Sequence, residues 1–350
     1  MAIVDKPSDY FNTVLYTGDG GTQSITGVGF QPDWTWIKRR SGVAESWHQI
    51  SDSVRGAGKI IHSNVTNAES TQTNNLTSFD TDGFSVGNGD VNNSSAPFVS
   101  WNWKAGTAFT NDASGTGIGS IDSAGSVNTD AGFSIVSWTG TGANGTIKHG
   151  LSTVPKMIII KNRTDAINWI VYHNKIGNTG AVFLDVTNGT DPGAAYFNNT
   201  SPTNSVFSVG NYNGSNGSND NMIAYCFADV QGYSKFGSYV GNGNANGTFI
   251  YTGFKPAFVM VKRTDATNYW FMFDNKRSTS GSNPTDKELY ANDAAAEDTS
   301  ARFDFLSNGF KNRLTSAGSN ASGGTYIYMA FAENPFTTST ANGSIPATAR

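Results

Sequence analysis

Residues 29–40 read GFQPDWTWIKRR, and the same frame returns as GLSTVPKMIIIKNR at 150–163 and GFKPAFVMVKR at 253–263. Each copy has glycine, an apolar residue, proline, an apolar run and a basic exit that begins with lysine. The likeness extends outward in both directions. Upstream stand LYTGDG (15–20), SWTGTG (137–142) and SYVGNG (238–243). Downstream a tryptophan recurs in SWHQISDSVR (46–55), NWIVYHNKIG (168–177) and YWFMFDNKR (269–277). Each copy closes on an aromatic segment: FVSWNWKAG (98–106), MIAYCFADV (222–230) and YIYMAFAEN (326–334). A period near 100 residues is too long for a solenoid repeat and fits a duplicated domain with its own core.

These landmarks divide the chain. Residues 1–106, 131–231 and 232–336 form three copies. Residues 107–130 are rich in Gly, Ser, Thr, Asn and Asp and read as a linker or an extended hairpin. The second and third copies abut near Gly232 almost without a spacer, which predicts a stiff junction. The tail 337–350 is expected to be extended and weakly ordered.

Within a copy, apolar runs of a few residues are separated by turn-forming clusters, the pattern of short strands. Met157–Ile160 and Phe258–Val261 are continuously apolar, so both of their faces should be buried. In FVSWNW, Phe98, Ser100 and Asn102 alternate with Val99, Trp101 and Trp103. Only 292–303, NDAAAEDTSARF, offers a helical turn or two. The fold class expected is all-β: three tandem antiparallel β-sandwiches of about 100 residues each, of jelly-roll or concanavalin-like form.

Composition narrows the function. A formal net charge of −4 argues against a general nucleic-acid binder, which needs a basic surface. Charged residues are 14% of the chain and aromatics 12%, which suits turn-rich β structure and argues against disorder. The single cysteine, Cys226, can form no intrachain disulfide. No apolar run is long enough to span a bilayer, and MAIVDKPSDYFNTV lacks the pattern of a secretory signal, so synthesis in the cytosol is expected.

Chemical motifs fail one after another. GTGANG (140–145) matches a dinucleotide fingerprint, but TIKHGL follows it as a strand rather than a helix, so a hairpin turn is expected. In FDTDGF (79–84), Asp80 and Asp82 suggest calcium, yet Ser78 and Gly89 occupy the ends of the required spacing. The third copy carries LSNGF there, so the position asks for a turn rather than carboxylates. His48, His62, His149 and His173 fit no metal-ligand spacing, and no nucleophile elbow or phosphate loop is present. No catalytic, cofactor or metal site is expected. Trp47, Trp169 and Trp270, recurring in all copies, read as core. Trp34, Trp36 and Trp103 occur in one copy only and are the candidate ligand or partner contacts.

The repeated frame YTG…GFxPxxxxIKxR…W…DGF…YxAxxF, and GYSKFGSYVGNGNANGTFIYTGFKPAFVMVKRTD at 232–265, resemble virion structural proteins of marine tailed bacteriophages, often labelled tail-fibre or lectin-like. The resemblance covers nearly the whole chain. It implies a non-enzymatic virion component, made in the host cytoplasm, that contacts other virion proteins and host-surface glycans. The position on the particle stays open among fibre, tail appendage and capsid decoration. Fibre proteins are usually trimers, so a homo-oligomer is implied as well. The alternative is a lectin-type protein that recognises a receptor carbohydrate.

Overall fold

The apolar run beside each proline becomes a central strand, Trp34–Arg39, Met157–Asn162 and Phe254–Arg263, in a four-stranded sheet in the first copy and in eight-stranded sheets in the second and third. The computed structural model describes residues 3–41, 46–278, 283–340 and 343–346. In the first copy the sheet runs Phe11–Thr17, Pro97–Trp103, Trp34–Arg39, Gln49–Asp52 in space. The second and third copies repeat the order, first strand, last strand, second strand, third strand. All of these pairs are antiparallel, and the fold class is all-β as the residue pattern requires.

Both faces of each sheet are buried, and this organises the molecule. Ile37 and Phe98 face an outer layer formed by Gln23–Thr26, Leu76–Asp80 and Gly83–Val86, which gives the first copy its own core. Ile158 and Ile160 do the same in the second copy, and Val259 and Val261 in the third. The alternate residues of the same strands, among them Trp34, Trp36, Met157, Ile159, Phe258 and Met260, point the other way. They meet in one core shared by all three copies. Each sheet is therefore one wall of a three-walled body, in addition to half of its own sandwich.

Strand register shows how the shared core fills. Trp34, Met157 and Phe258 occupy one position, opposite Trp103, Phe227 and Phe331. Trp36, Ile159 and Met260 occupy another, opposite Trp101, Tyr225 and Met329. At three of these positions the first copy supplies tryptophan where a partner copy has Met or Ile. Large side chains from one wall fill the space that smaller ones on another leave, as close packing demands.

The links between walls repeat with threefold sense. Lys38, Lys161 and Lys262 are equivalent, and each buried ammonium donates to a carbonyl of a neighbouring copy: Ala294 at 2.9 Å, Thr66 at 2.8 Å and Thr187 at 2.9 Å. Each also donates to its own copy, at Ser46, Ile167 and Asn268. Burial lowers these ammonium pKa values, to about 8 for Lys38 and Lys161 and about 7 for Lys262. Main-chain bonds run alongside, from Glu297 to Arg40, Glu69 to Arg163 and Thr190 to Thr264.

Local expectations divide. Of the two forms expected for 107–130, the hairpin is found: Thr107–Asn111 pairs with Ser123–Asn128 and extends the second copy's sheet. A linker it is not. Asp298–Leu306 is a strand, so the helix expected at 292–303 does not form. Within the tail, Thr337–Thr340 pairs with Gly343–Pro346 as two extended strands, and residues 341–342 and 347–350 lie outside the described residues. The GTGANG turn is not a hairpin, because Phe133–Thr139 lies in the inner sheet and Gly145–Lys148 in the outer one. Fully buried Asn216 holds it by accepting from Thr141 N and donating to Ala143 O. Asn92 and Asn320 hold the equivalent turns.

Candidate functional site

The three tryptophans singled out by their absence from other copies are structural. Trp34 is 0% exposed, and Trp36 and Trp103 are each 1% exposed. The Trp34 ring stacks on Tyr225 of the second copy at 4.6 Å and lies 4.4 Å from Trp103. Trp36 Nε1 donates to His48 Nδ1 at 2.8 Å. None of the three reaches a surface where a ligand could stack, which corrects the expectation that they make copy-specific contacts.

The recurring tryptophan needs the opposite correction. Ile37 pairs with Gln49, Ile160 with Ile170 and Val261 with Phe271, so the equivalent residues just before are His48, Trp169 and Trp270. Trp169 and Trp270 are buried and donate across the seams to the carbonyls of His62 and Phe183 at 2.9 and 2.8 Å. His48 holds the core position in the first copy, and Trp47 is displaced by one residue to the surface. In extended backbone leading into a strand, a one-residue slip reverses the face on which a side chain sits. Trp47 is 44% exposed.

Trp47 borders a surface cleft of about 400 Å³. Its ring meets His62 edge to face at 5.0 Å, which fixes the indole against the body. His62 Nδ1 donates to the His48 carbonyl at 2.7 Å. Burial holds the His62 pKa below its ordinary value, so the ring is neutral and its other nitrogen is an acceptor. Gln49 and Gln72 both accept from Asn75 Nδ2, at 3.0 and 2.8 Å, which leaves their amide nitrogens as donors. Arg39 donates to Ser41 O at 2.7 Å and reaches Asn93 at 3.5 Å. Asp90 is exposed, and its carboxylate has no hydrogen-bond or ion-pair partner among the described residues. One aromatic face is thus surrounded by donors and acceptors of both kinds. In the third copy the equivalent Tyr269 is 38% exposed and stacks on Tyr290 at 4.6 Å. In the second, Asn168 stands there and is tied to Asp185 at 2.8 Å.

Elsewhere, side chains that looked chemical are committed to structure. Asp82 accepts from Gly27 N and Gly29 N, and Asp80 from Ser78 and Ser85. Cys226 is buried, and burial pushes its thiol pKa up. Among the described residues no three His, Cys, Asp or Glu converge as a metal cluster, and no helix is long and apolar enough to cross a membrane. The residue that sequence reasoning missed is Trp47. The signal that could have found it is the spacing from the recurring lysine: His48 lies ten positions after Lys38, whereas Trp169 lies eight after Lys161.

No curated protein matches the chain. A family model described as Domain of unknown function (DUF7483) matches residues 6–335, running as one unit through all three copies. The chain therefore belongs to the DUF7483 family.

Proposed function

We propose that this protein is a non-enzymatic structural component of a tailed-bacteriophage virion, a fibre, tail appendage or capsid decoration that contacts other virion proteins and attaches to host-surface glycans. The observation that carries the reading is how the polar side chains are used. Asp52 accepts from Tyr225 and Asp274 from Trp101, and with Glu69, Glu297 and the three equivalent lysines these bonds join the three walls. Such a body suits a rigid spacer or decoration, since each joint is made of buried, satisfied groups. The repeated frame and its resemblance to marine phage virion proteins support the same reading. The trimer expected of a fibre has a counterpart inside one chain, where three walls close on one core. Immunogold electron microscopy of purified particles tests it. Gold on the particle surface is expected, and particles that lack the protein overturn the proposal.

The lectin-type reading is favoured by one specific observation, the exposed Trp47 beside unpaired acceptors and donors.

A further inference from the structure

We propose that the Trp47 cleft binds a neutral pyranose unit, the sugar's C–H face lying on the indole and its hydroxyl groups bonded to Asp90, His62 and the amides of Gln49 and Gln72. The site deepens the attachment reading above and rests on it for its biological role, although the binding itself does not require a virion.

Several features of the cleft lead there. An indole presents a negative ring face, which attracts the weakly positive C–H groups on one side of a pyranose. Among the described residues, Trp47 is the only tryptophan that is exposed, and its contact with His62 holds the ring in place before any ligand arrives. The neighbours supply both halves of hydroxyl recognition. Asp90 and the free nitrogen of His62 accept, while the Gln49 and Gln72 amides donate. A hydroxyl does both at once, which neither a carboxylate nor an ammonium can do. Finally, among the described residues the cleft carries one cation, Arg39, and one anion, Asp90. Arg39 donates through Nε to the neutral Ser41 carbonyl and keeps its charge, which offsets that of Asp90 and leaves no net charge to select an ionic sugar. A cleft of about 400 Å³ lies at the small end of ligand sites, in keeping with one or two sugar rings.

The open side of the cleft also explains why the position tolerates an exposed tryptophan. An indole in water leaves apolar area unburied, a cost that a stacked ligand removes. Tyr269 on Tyr290 repeats the exposed aromatic in the third copy, but its neighbour Tyr290 donates to Glu288 and the polar ring of acceptors around Trp47 is not reproduced. The inference is accordingly confined to the first copy.

The test is titration of the full chain with methyl glycosides of neutral hexoses and with a methyl uronoside, followed by calorimetry and tryptophan fluorescence. At least one neutral glycoside is expected to bind at millimolar or tighter affinity. Trp47→Ala should weaken it at least about tenfold, equal to ~1.4 kcal/mol, and Asp90→Asn should weaken it several-fold. Circular dichroism and the thermal midpoint of each variant must match the parent, which separates loss of the site from loss of the fold. No binding by any neutral glycoside, binding of the uronoside alone, or undiminished binding by Trp47→Ala each overturns the proposal. Particle labelling decides the virion reading separately. Gold on particles with no sugar binding leaves that reading standing and removes this site, while sugar binding without gold does the reverse.

Discussion

Trp34 and Trp47 are the same amino acid thirteen positions apart, and burial gives them opposite roles. Replacing Trp34 with Ala leaves a void between Trp103 and Tyr225 that the other walls cannot close, so a loss of about 3–5 kcal/mol is expected. Replacing Trp47 with Ala removes a surface ring and should change stability by no more than ~0.5 kcal/mol. Urea denaturation of both variants checks the contrast, and equal losses would contradict it. The histidines make a second prediction at this scale. Burial lowers the pKa of all four, to about 4 for His149 and His173. In the unfolded chain they return to about 6.5. A base whose folded pKa is depressed contributes stability that is complete above the unfolded value and lost as pH falls through the folded one. The thermal midpoint should therefore fall between pH 6.5 and about 4, even though buried Asp33 and Asp185, whose pKa values are raised, pull the other way. A midpoint that stays flat across that window would contradict the assignment of neutral buried rings.

Strands and seams are the next scale, and here the three joints are unequal. Between the first and third copies, Glu297 accepts from Arg40 at 2.9 Å and Arg277 at 3.2 Å, and Arg277 also binds Asp274. Between the first and second copies, Glu69 accepts from Arg163 at 2.8 Å and Arg55 at 3.3 Å, with Asp52 behind Arg55. At the remaining seam Thr190 stands in place of the glutamate, His173 in place of the aspartate and Ile176 in place of the arginine. Removing a carboxylate from a buried chain of charges strands a guanidinium, so Glu69→Ala and Glu297→Ala should each cost about 3 kcal/mol. Thr190→Ala should cost no more than ~0.5 kcal/mol. Chemical denaturation of the three variants measures the difference, and a Thr190 effect as large as the glutamates' would contradict it. The strands were legible in the sequence, because the alternation in FVSWNW and the apolar runs after Pro155 and Pro256 report directly on which faces are buried. The seams were not. Repeat symmetry identifies equivalent residues but does not say that Lys38, Lys161 and Lys262 reach into another copy, since that depends on how the copies pack. The site was hidden for a related reason. Matching tryptophan to tryptophan placed Trp47 in the core, and only the pairing of Ile37 with Gln49 reveals the slip.

For the whole molecule, three copies joined in sequence have become one body rather than a string. The first and third copies, far apart along the chain, meet directly: Phe11 stacks on Phe331 at 5.2 Å, and Trp101 Nε1 donates to an Asp274 carboxylate oxygen at 3.0 Å. One wall removed would open the shared core, so no copy can unfold without exposing the inner faces of the other two. That closure also sets the Trp47 cleft, since the segment leading into Gln49–Asp52 buries His48 and presents its neighbour Trp47 to the surface. Unfolding should accordingly be a single cooperative event in spite of the threefold repeat. Differential scanning calorimetry of the full chain tests this most directly. The account predicts one transition whose calorimetric and van't Hoff enthalpies agree, and two or three resolved transitions would contradict it.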